Sequence, residues 1–231
     1  LLLSSGWMHF YSPENDFDGA IAFTDPTSTS YASFAKGIAV YTNGALPVVC
    51  RSVAVTNAPL MLMNATAFDL PAMEYCVKDD LEYALSGGTG GTLAGLRKTG
   101  DGVLELSAPL AVTGRLEVAA GTLKVTGDGG CLTAGTYAPG AGVLDGDLAI
   151  TGHIEPGGTA GRVTGRVTVG AGVTLAPGVT SPRRRTSVLS ADGGVQMFEP
   201  ILLDEDSKLY LMTDGETLYT KRMNGMAIIV R

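Results

Sequence analysis

Residues 99–127 read TGDGVLELSAPLAVTGRLEVAAGTLKVTG, and the spacing of small residues in this stretch decides the fold. A Thr-Gly or Pro-Gly pair recurs at intervals of about 13 residues, and such a regular recurrence of turn residues is typical of a repeat protein. The pairs are Thr99-Gly100, Thr113-Gly114, Thr126-Gly127, Pro139-Gly140, Thr151-Gly152, Thr164-Gly165 and Pro177-Gly178.

Short apolar alternations lie between these pairs, and each predicts a strand with one buried face. Leu104-Glu105-Leu106, Leu116-Glu117-Val118 and Leu123-Lys124-Val125 each place two apolar residues around a polar one, the period-two pattern of a β-strand. Such strands are marginal alone, but winding lets each one stack on its equivalent one coil later. The sequence therefore predicts an all-β, single-stranded parallel β-helix (a β-solenoid) with three strands and roughly 20 residues per coil.

Composition divides the chain into three predicted parts. Of the 32 Gly residues, 24 lie between residues 86 and 178, and all eight Met lie outside that window. We expect irregular β-solenoid coils over residues 1–85, regular Gly-rich β-helix repeats over 86–180 and a β-hairpin cap over 181–231. A helix over residues 72–85 is an alternative, but the β-interpretation suits the neighbouring residues better.

Turn signals predict the form of the cap. Asp214-Gly215 separates strands predicted over Leu209–Met212 and Thr217–Arg222, and Asn224-Gly225 precedes a third strand over Met226–Val230. Asp-Gly and Asn-Gly between strands are strong hairpin signals. We expect a three-stranded antiparallel meander over the open end of the solenoid, because an uncovered end exposes unpaired strand edges.

The charge balance and the first residues limit the classes of partner. The chain has 16 Lys and Arg against 23 Asp and Glu, a net charge of −7, which argues against nucleic-acid binding. Arg183-Arg184-Arg185 is interpreted as an exposed linker turn. Leu1-Leu2-Leu3 is too short for a membrane span or a complete signal peptide. We expect no membrane span, and a chain that continues N-terminally into a larger protein.

Cysteine and histidine are too few for a zinc cluster. The chain has three Cys and two His, with no Cys-x-x-Cys pair. Cys50 and Cys76 are separated in sequence by about one wide coil. Stacking of the two side chains, a disulfide bridge between them and buried thiols are therefore all open alternatives. We favour buried thiols at Cys50, Cys76 and Cys131, and a surface position for His153 after Gly152.

Residues 14–25 approximate a calcium-binding loop. Glu14, Asn15, Asp16 and Asp18 precede Gly19, and Asp25 stands at the twelfth position. Such loops use Asp first and a bidentate Glu last, and this stretch has Glu first and Asp last. We favour an acidic β-turn, and the sequence leaves open whether residues 14–25 bind calcium.

Two further groups of residues are candidates for carbohydrate chemistry. Glu74, Asp79, Asp80 and Glu82 offer paired carboxylates, but glycoside hydrolysis needs two of them about 5–10 Å apart across a sugar, and a solvated turn is the favoured interpretation. An N-terminal aromatic group is interpreted as core filling rather than a sugar-stacking strip; its members are Trp7, Phe10, Tyr11, Phe17 and Phe23. The sequence predicts no catalytic residue and no cofactor.

Two segments carry a family likeness. Leu96–Ser107, with the pattern Lys-Thr-Gly-Asp-Gly-Val-Leu-Glu-Leu from Lys98, and Ala119–Val125 resemble the autotransporter-associated β-strand repeat. Ser107 stands where that repeat often has Gly. The resemblance implies a right-handed β-helix, exported to the cell surface or the extracellular space of a bacterium, and it implies no activity.

These observations predict a non-enzymatic structural or adhesive segment of a large secreted or surface-exposed bacterial β-helix protein. Its partners would be glycans or components of the cell surface or matrix. The alternative is a carbohydrate-binding or carbohydrate-active β-helix of the lyase or glycoside hydrolase type. A trimeric phage-type fibre is a third interpretation.

Overall fold

The structure is a computed structural model that describes residues 68–223, apart from residues 79–80, 88–89, 108, 157–158, 181 and 183. Upstream of residue 68 it describes six strands. The described part of the chain consists of β-strands, loops and one 3-10 turn at Asp128–Gly130, with no α-helix. The predicted all-β class is confirmed.

The strands form two sheets, which we call sheet 1 and sheet 2. Sheet 1 contains β1 (Leu2–Leu3), β3 (Asp16–Phe23), β5 (Val49–Thr56), β7 (Phe68–Cys76), β9 (Gly91–Thr99), β11 (Leu110–Val118), β13 (Cys131–Ala138), β15 (Asp147–Ile154), β17 (Val167–Val169), β18 (Thr174–Leu175) and β20 (Val195–Gln196). Sheet 2 contains β2 (Met8–His9), β4 (Ala32–Phe34), β6 (Leu60–Leu62), β8 (Glu82–Gly87), β10 (Val103–Leu106), β12 (Thr122–Val125), β14 (Val143–Asp145), β16 (Gly161–Val163), β19 (Thr186–Ala191), β21 (Ile201–Asp204), β22 (Leu209–Thr213) and β23 (Thr217–Arg222). The alternative of a helix over residues 72–85 is wrong, since β7 and β8 occupy it.

The chain alternates between the two sheets, and each strand pairs in parallel with its equivalent one coil later. Leu104 pairs with Leu123 of the following coil and with Tyr83 of the preceding coil. Leu116 likewise pairs with Leu96 of the preceding coil. The predicted β-solenoid with roughly 20 residues per coil is therefore confirmed. Its right-handed winding, which only the family resemblance implies, stays a prediction.

Each coil has three strand segments, as predicted, but two of them join into one bent strand. The register between β11 and β13 shifts between Val112 and Arg115, on either side of Gly114. In the last regular coil the two halves are separate, because β15 pairs with both β17 and β18. Successive Thr-Gly or Pro-Gly pairs are about 13 residues apart, which corresponds to two of the three sides of a coil. The pairs therefore fall at different corners of successive coils.

Two glycines show why the corners exclude larger residues. Gly121 has a φ of +63°, which β-carbon-bearing residues rarely adopt. At Gly135 a Cβ atom would collide with the carbonyl oxygen of Thr113 in the preceding coil. The coils therefore stack backbone against backbone at these corners.

The interior consists of apolar columns that run from coil to coil. In sheet 2 the column is Leu104, Leu123, Leu144 and Val163, paired in that order and each at most 1% exposed. Fully burying one such side chain stabilises the fold by about 1.5–3 kcal/mol. The alternation of polar and apolar residues, which predicted these strands, is therefore the alternation between solvent and core.

An antiparallel sheet covers the C-terminal end. β19 pairs in parallel with β16 and antiparallel with β23, and β22 and β21 continue the sheet. Leu203, Leu209, Leu211 and Leu218 join the core of the coils. The predicted meander is confirmed for β22 and β23, and its third described strand is β21. The strand predicted over Met226–Val230 lies outside the described residues. The division at residues 85 and 180 stays a prediction.

Candidate functional site

A ladder of alternating charges, here called the sheet 1 ladder, crosses the outer face of sheet 1 from β7 to the end of β15. Arg97 lies between Glu74 and Glu117, with Nη1 3.4 Å from Glu74 Oε2 and Nε 3.2 Å from Glu117 Oε2. Arg115 contacts the same Glu117 and also Glu155, whose Oε2 lies 3.0 Å from Arg115 Nε. Both arginines bridge different coils, so the ladder ties the coils together and keeps one net negative charge, from three carboxylates and two guanidinium groups.

A second ladder lies on sheet 2. Lys124 Nζ is 3.2 Å from Glu105 Oε2 and 3.8 Å from Glu82 Oε1. Thr126 donates to Glu105 Oε1 at 2.8 Å. The hydrogen bonds from Thr126 and then Lys124 lower the pKa of Glu105 below its usual value, because both stabilise the ionised carboxylate. A carboxylate held in this way is a poor proton donor near neutral pH.

Lys98 is a buried lysine at the corner between the two sheets, and its side chain has no exposed surface. Its Nζ donates to the carbonyl oxygens of Thr99 at 3.0 Å, Gly100 at 2.7 Å and Ala120 at 3.2 Å. Burial lowers its pKa to about 8, while Cys76 and Asp101 act in the opposite direction. The role of this lysine is structural, since all three partners are backbone atoms of two coils. The one sequence signal for this buried lysine is that Lys98 begins the pattern that resembles the autotransporter-associated repeat.

A cleft of about 310 Å³ lies where the last coil meets the cap. Val169, Met197, Ile201 and Leu202 contribute to its lining, and Glu199 is the charged residue in it. Phe198 projects fully into solvent, and Leu202 is 42% exposed. No sequence pattern indicated this cleft, because Met197 to Pro200 carry no periodic signal.

The structure separates Glu74 from Glu82, the two described members of the candidate carboxylate group. Glu74 lies in β7 of sheet 1 and Glu82 in β8 of sheet 2, and each faces a cation of its own ladder. Asp79 and Asp80 lie outside the described residues. Glu74 and Glu82 therefore do not form the carboxylate pair considered for glycoside hydrolysis, for which the sequence favoured a solvated turn instead.

The calcium-loop prediction is answered only in part. Asp16, Asp18 and Gly19 lie within β3, so the favoured acidic β-turn is wrong for these three residues. Glu14, Asn15 and Asp25 lie outside the described residues. Among the residues whose positions are described, no group of three or more His, Cys, Asp or Glu side chains is arranged to hold a metal ion. Calcium binding at residues 14–25 stays open.

The register separates Cys50 from Cys76. Cys76 pairs with Thr56 at one end of β5. Cys50 lies near the other end of β5, about 20 Å from Thr56 along the strand. Neither Cys76 nor Cys131 forms a disulfide, as favoured, but both are half-buried, so only the predicted burial is wrong for these two. The side chain of Cys50 lies outside the described residues.

His153 and the basic run occupy partly exposed positions. His153 is half-buried, and its Nδ1 is hydrogen-bonded to Thr174 Oγ1 of the next coil at 2.8 Å. Arg184 and Arg185 are exposed, as predicted for a linker turn. Arg185 lies 3.2 Å from Asp214 and stacks over the ring of Tyr219, so it fastens the linker to the cap.

The N-terminal aromatic group is largely outside the described part of the chain. Phe17 and Phe23 lie in β3, and Trp7, Phe10 and Tyr11 are not described. In the regular coils Tyr137 is buried, and burial raises its pKa above the usual value. The proposed choice between core filling and sugar stacking at the N-terminus stays a prediction.

Comparison with known proteins finds no matching family, no matching curated protein and no matching solved structure. The resemblance to the autotransporter-associated repeat therefore stays a prediction. Within the described ranges, no helix has the length and apolar character needed to span a membrane.

Proposed function

We propose that this chain is a non-enzymatic structural or adhesive segment of a large exported bacterial β-helix protein. The observation that supports this most is the sheet 1 ladder, in which Arg97 and Arg115 each contact acidic residues of different coils. On the faces of the described coils, charged side chains connect neighbouring coils instead of converging on one point. Such an arrangement stabilises length and does not create a pocket.

The mechanical role follows from the direction of the hydrogen bonds. Parallel strands pair along the axis of the solenoid, coil upon coil, and each backbone bond between them adds a modest free energy, about 0.5–1.5 kcal/mol. Apolar columns such as Leu104 to Val163 run in the same direction. Bending or shortening the rod would break both at once, so the segment acts as a stiff spacer that carries other parts of a larger protein.

Export to the cell surface or extracellular space is the second part of the proposal. It is supported by the likeness of Leu96–Ser107 and Ala119–Val125 to the autotransporter-associated repeat. The pattern of that likeness begins with Lys98. The burial of Lys98 gives the lysine of the pattern a physical role. Glycans or matrix components remain the proposed partners.

Limited proteolysis combined with a glycan assay tests the proposal. Arg97, Arg115 and Lys124 lie within paired strands, so we expect trypsin to leave these sites intact in the native chain while cutting them after denaturation. We expect no turnover of polysaccharides in a reducing-end assay. Turnover that is lost in Asp79→Asn or Asp80→Asn would replace the structural proposal with the carbohydrate-active alternative.

The location is tested separately on bacteria that produce the complete reading frame. Protease added to intact cells should remove or shorten the protein, and an antibody against the chain should label unbroken cells. Labelling that requires permeabilised cells would contradict export but leave the mechanical role untouched.

A further inference from the structure

The outer face of the cap carries aromatic and basic side chains next to one another. In β22, Leu209 and Leu211 are completely buried. Because side chains alternate between the two faces of a strand, Tyr210 and Met212 point away from the core, and both are half-buried. Lys221 of β23 pairs with Tyr210 and is exposed on the same outer face.

The linker before β19 brings a second cation to this face. β19 and β23 are antiparallel neighbours, and their register places Arg185, which directly precedes β19, beside Lys221. Arg222 Nε donates to the carbonyl oxygen of Pro182 at 3.1 Å, which fastens the linker to β23. The Cζ atom of Arg185 lies 3.7 Å from the centre of the Tyr219 ring. We call this surface the cap face, and its members are Arg185, Tyr210, Met212, Tyr219 and Lys221.

The cap face departs from the charge pattern of the coils. In both ladders each cation contacts at least one carboxylate of another coil. In the described part of the chain Lys221 contacts no carboxylate, and Arg185 has a single ion pair, with Asp214 at 3.2 Å, which leaves several of its N–H donors free. Like charges opposite one another in a sheet are unfavourable, although the chain has an excess of carboxylates. The two adjacent cations therefore indicate an anionic partner.

We propose that the cap face binds a polysaccharide whose sugars carry carboxylate groups. This rests on the adhesive function proposed above and gives the chemical class of its ligand. The C–H groups of a sugar ring would pack on Tyr210 and Met212, whose side chains are apolar over most of their length. Arg185 offers a carboxylate two parallel N–H donors, and Lys221 adds a point charge.

The density of charge favours such a polysaccharide over a nucleic acid. Duplex DNA carries one negative charge per about 1.7 Å of its axis. The cap face offers Arg185 and Lys221 on adjacent strands, about 5 Å apart at the backbone, in a chain with a net charge of −7. The rest of the chain would repel a dense polyanion, whereas widely spaced carboxylates meet the local positive charge alone.

Binding to hyaluronan, which has a carboxylate on every second sugar, tests the proposal. Isothermal titration calorimetry of the full chain compares hyaluronan with its methyl ester, which has the same sugars without the charge. We expect the ester to bind at least about tenfold more weakly, because a charge-assisted hydrogen bond is lost at each carboxylate. Raising the salt concentration from about 0.05 M to about 0.5 M should weaken the binding of hyaluronan itself.

Variants locate the binding on the cap face. Arg185→Gln combined with Lys221→Gln should weaken hyaluronan binding at least about tenfold. The matched control is Arg162→Gln combined with Arg166→Gln, which removes the same charge from exposed positions on the coils and should leave the binding unchanged. Because Arg185 also packs on Tyr219, Lys221→Gln alone keeps the test independent of the folding of the cap, and it should weaken binding about threefold.

Three results would overturn the proposal. Equal binding of hyaluronan and its methyl ester, or binding that survives the double substitution of Arg185 and Lys221, would show that the two cations do not hold the ligand. Equal affinity for a single-stranded oligothymidine would show a general preference for polyanions. Absence of hyaluronan binding would also overturn the proposal but leave the structural role in place, since protease resistance tests that role separately.

Discussion

Lys98 donates a hydrogen bond from its Nζ to the carbonyl oxygen of Ala120, 3.2 Å away in the next coil of the solenoid. The same ammonium group binds the carbonyl oxygens of Thr99 and Gly100 in its own corner. Because the side chain is fully buried, water does not compete for these bonds. One side chain thus links two coils at a corner where the backbone turns between the sheets.

The titration of Lys98 should make stability depend on pH. Its pKa is about 8 in the folded state and 10.5 when exposed, so between these values the unfolded chain binds more protons, and unfolding becomes less favourable as pH rises. We expect the difference in unfolding free energy between the unaltered protein and Lys98→Met to grow by about 2 kcal/mol from pH 7 to pH 9.5. Urea unfolding at several pH values measures it.

Both proteins contain the same tyrosines, so the effect of tyrosine titration on the unfolding free energy cancels in this difference. Lys221→Met serves as the control, since Lys221 is exposed on β23, and its difference should stay flat over the same range. A difference that falls with pH would show that the three carbonyl oxygens hold the charged form instead.

Close stacking at the corners should make some glycines irreplaceable and others neutral. A Cβ atom at Gly135 would collide with the Thr113 carbonyl oxygen, whereas at Gly172 it would meet nothing within 4 Å. We expect Gly135→Ala to lower the unfolding free energy by about 3 kcal/mol or more and Gly172→Ala to change it by less than about 1 kcal/mol. Denaturant midpoints of the two variants provide the comparison, and equal effects would contradict backbone stacking at Gly135.

The sheet 1 ladder should contribute a small, salt-sensitive free energy. The Glu117 side chain is 17% exposed and contacts two arginines, so Glu117→Gln should cost about 1 kcal/mol at low salt. Screening in about 1 M salt should remove most of that cost. Glu205→Gln, at an exposed turn of the cap, is the control and should be neutral at both salt concentrations. A cost at Glu117 that does not change with salt would mean that packing, not charge, holds the ladder.

The cap should unfold together with the coils. Leu211 in β22 is completely buried and belongs to the same core as the coil residues. Leu211→Ala should therefore destabilise the protein by about 2–5 kcal/mol and shift circular dichroism and Tyr fluorescence in one common transition. An early separate transition of the cap in this variant would show that the cap is an independent unit.

Much of the fold is predictable from the sequence because the physical constraint is local. Leu104–Leu106, Leu116–Val118 and Leu123–Val125 lie in β10, β11 and β12 as the alternation predicts. Glycine at the corners limits the length of each side. Local pattern does not give the register, because the coils differ in length: the chain from Tyr83 to its partner Leu104 is longer than the chain from Leu104 to its partner Leu123.

The surface features depend on that register and were not predicted for this reason. Arg97 faces Glu117 only when Leu96 pairs with Leu116, and a shift of either strand by one position would turn its charged side chain towards the core. Lys98 was also missed as a buried residue, since a lysine in a strand ordinarily points to water. Its burial depends on three carbonyl oxygens that converge only after the coils stack.

Engineered disulfides test the coiling of the chain most directly. Glu105 and Lys124 are paired one coil apart, whereas Glu105 and Glu117, though closer in sequence, lie in different sheets. In a background with Cys50, Cys76 and Cys131 changed to Ser, mild oxidation should cross-link Glu105→Cys/Lys124→Cys within one chain and leave Glu105→Cys/Glu117→Cys reduced. Equal yields, or a cross-link in the second variant alone, would contradict the stacked-coil structure.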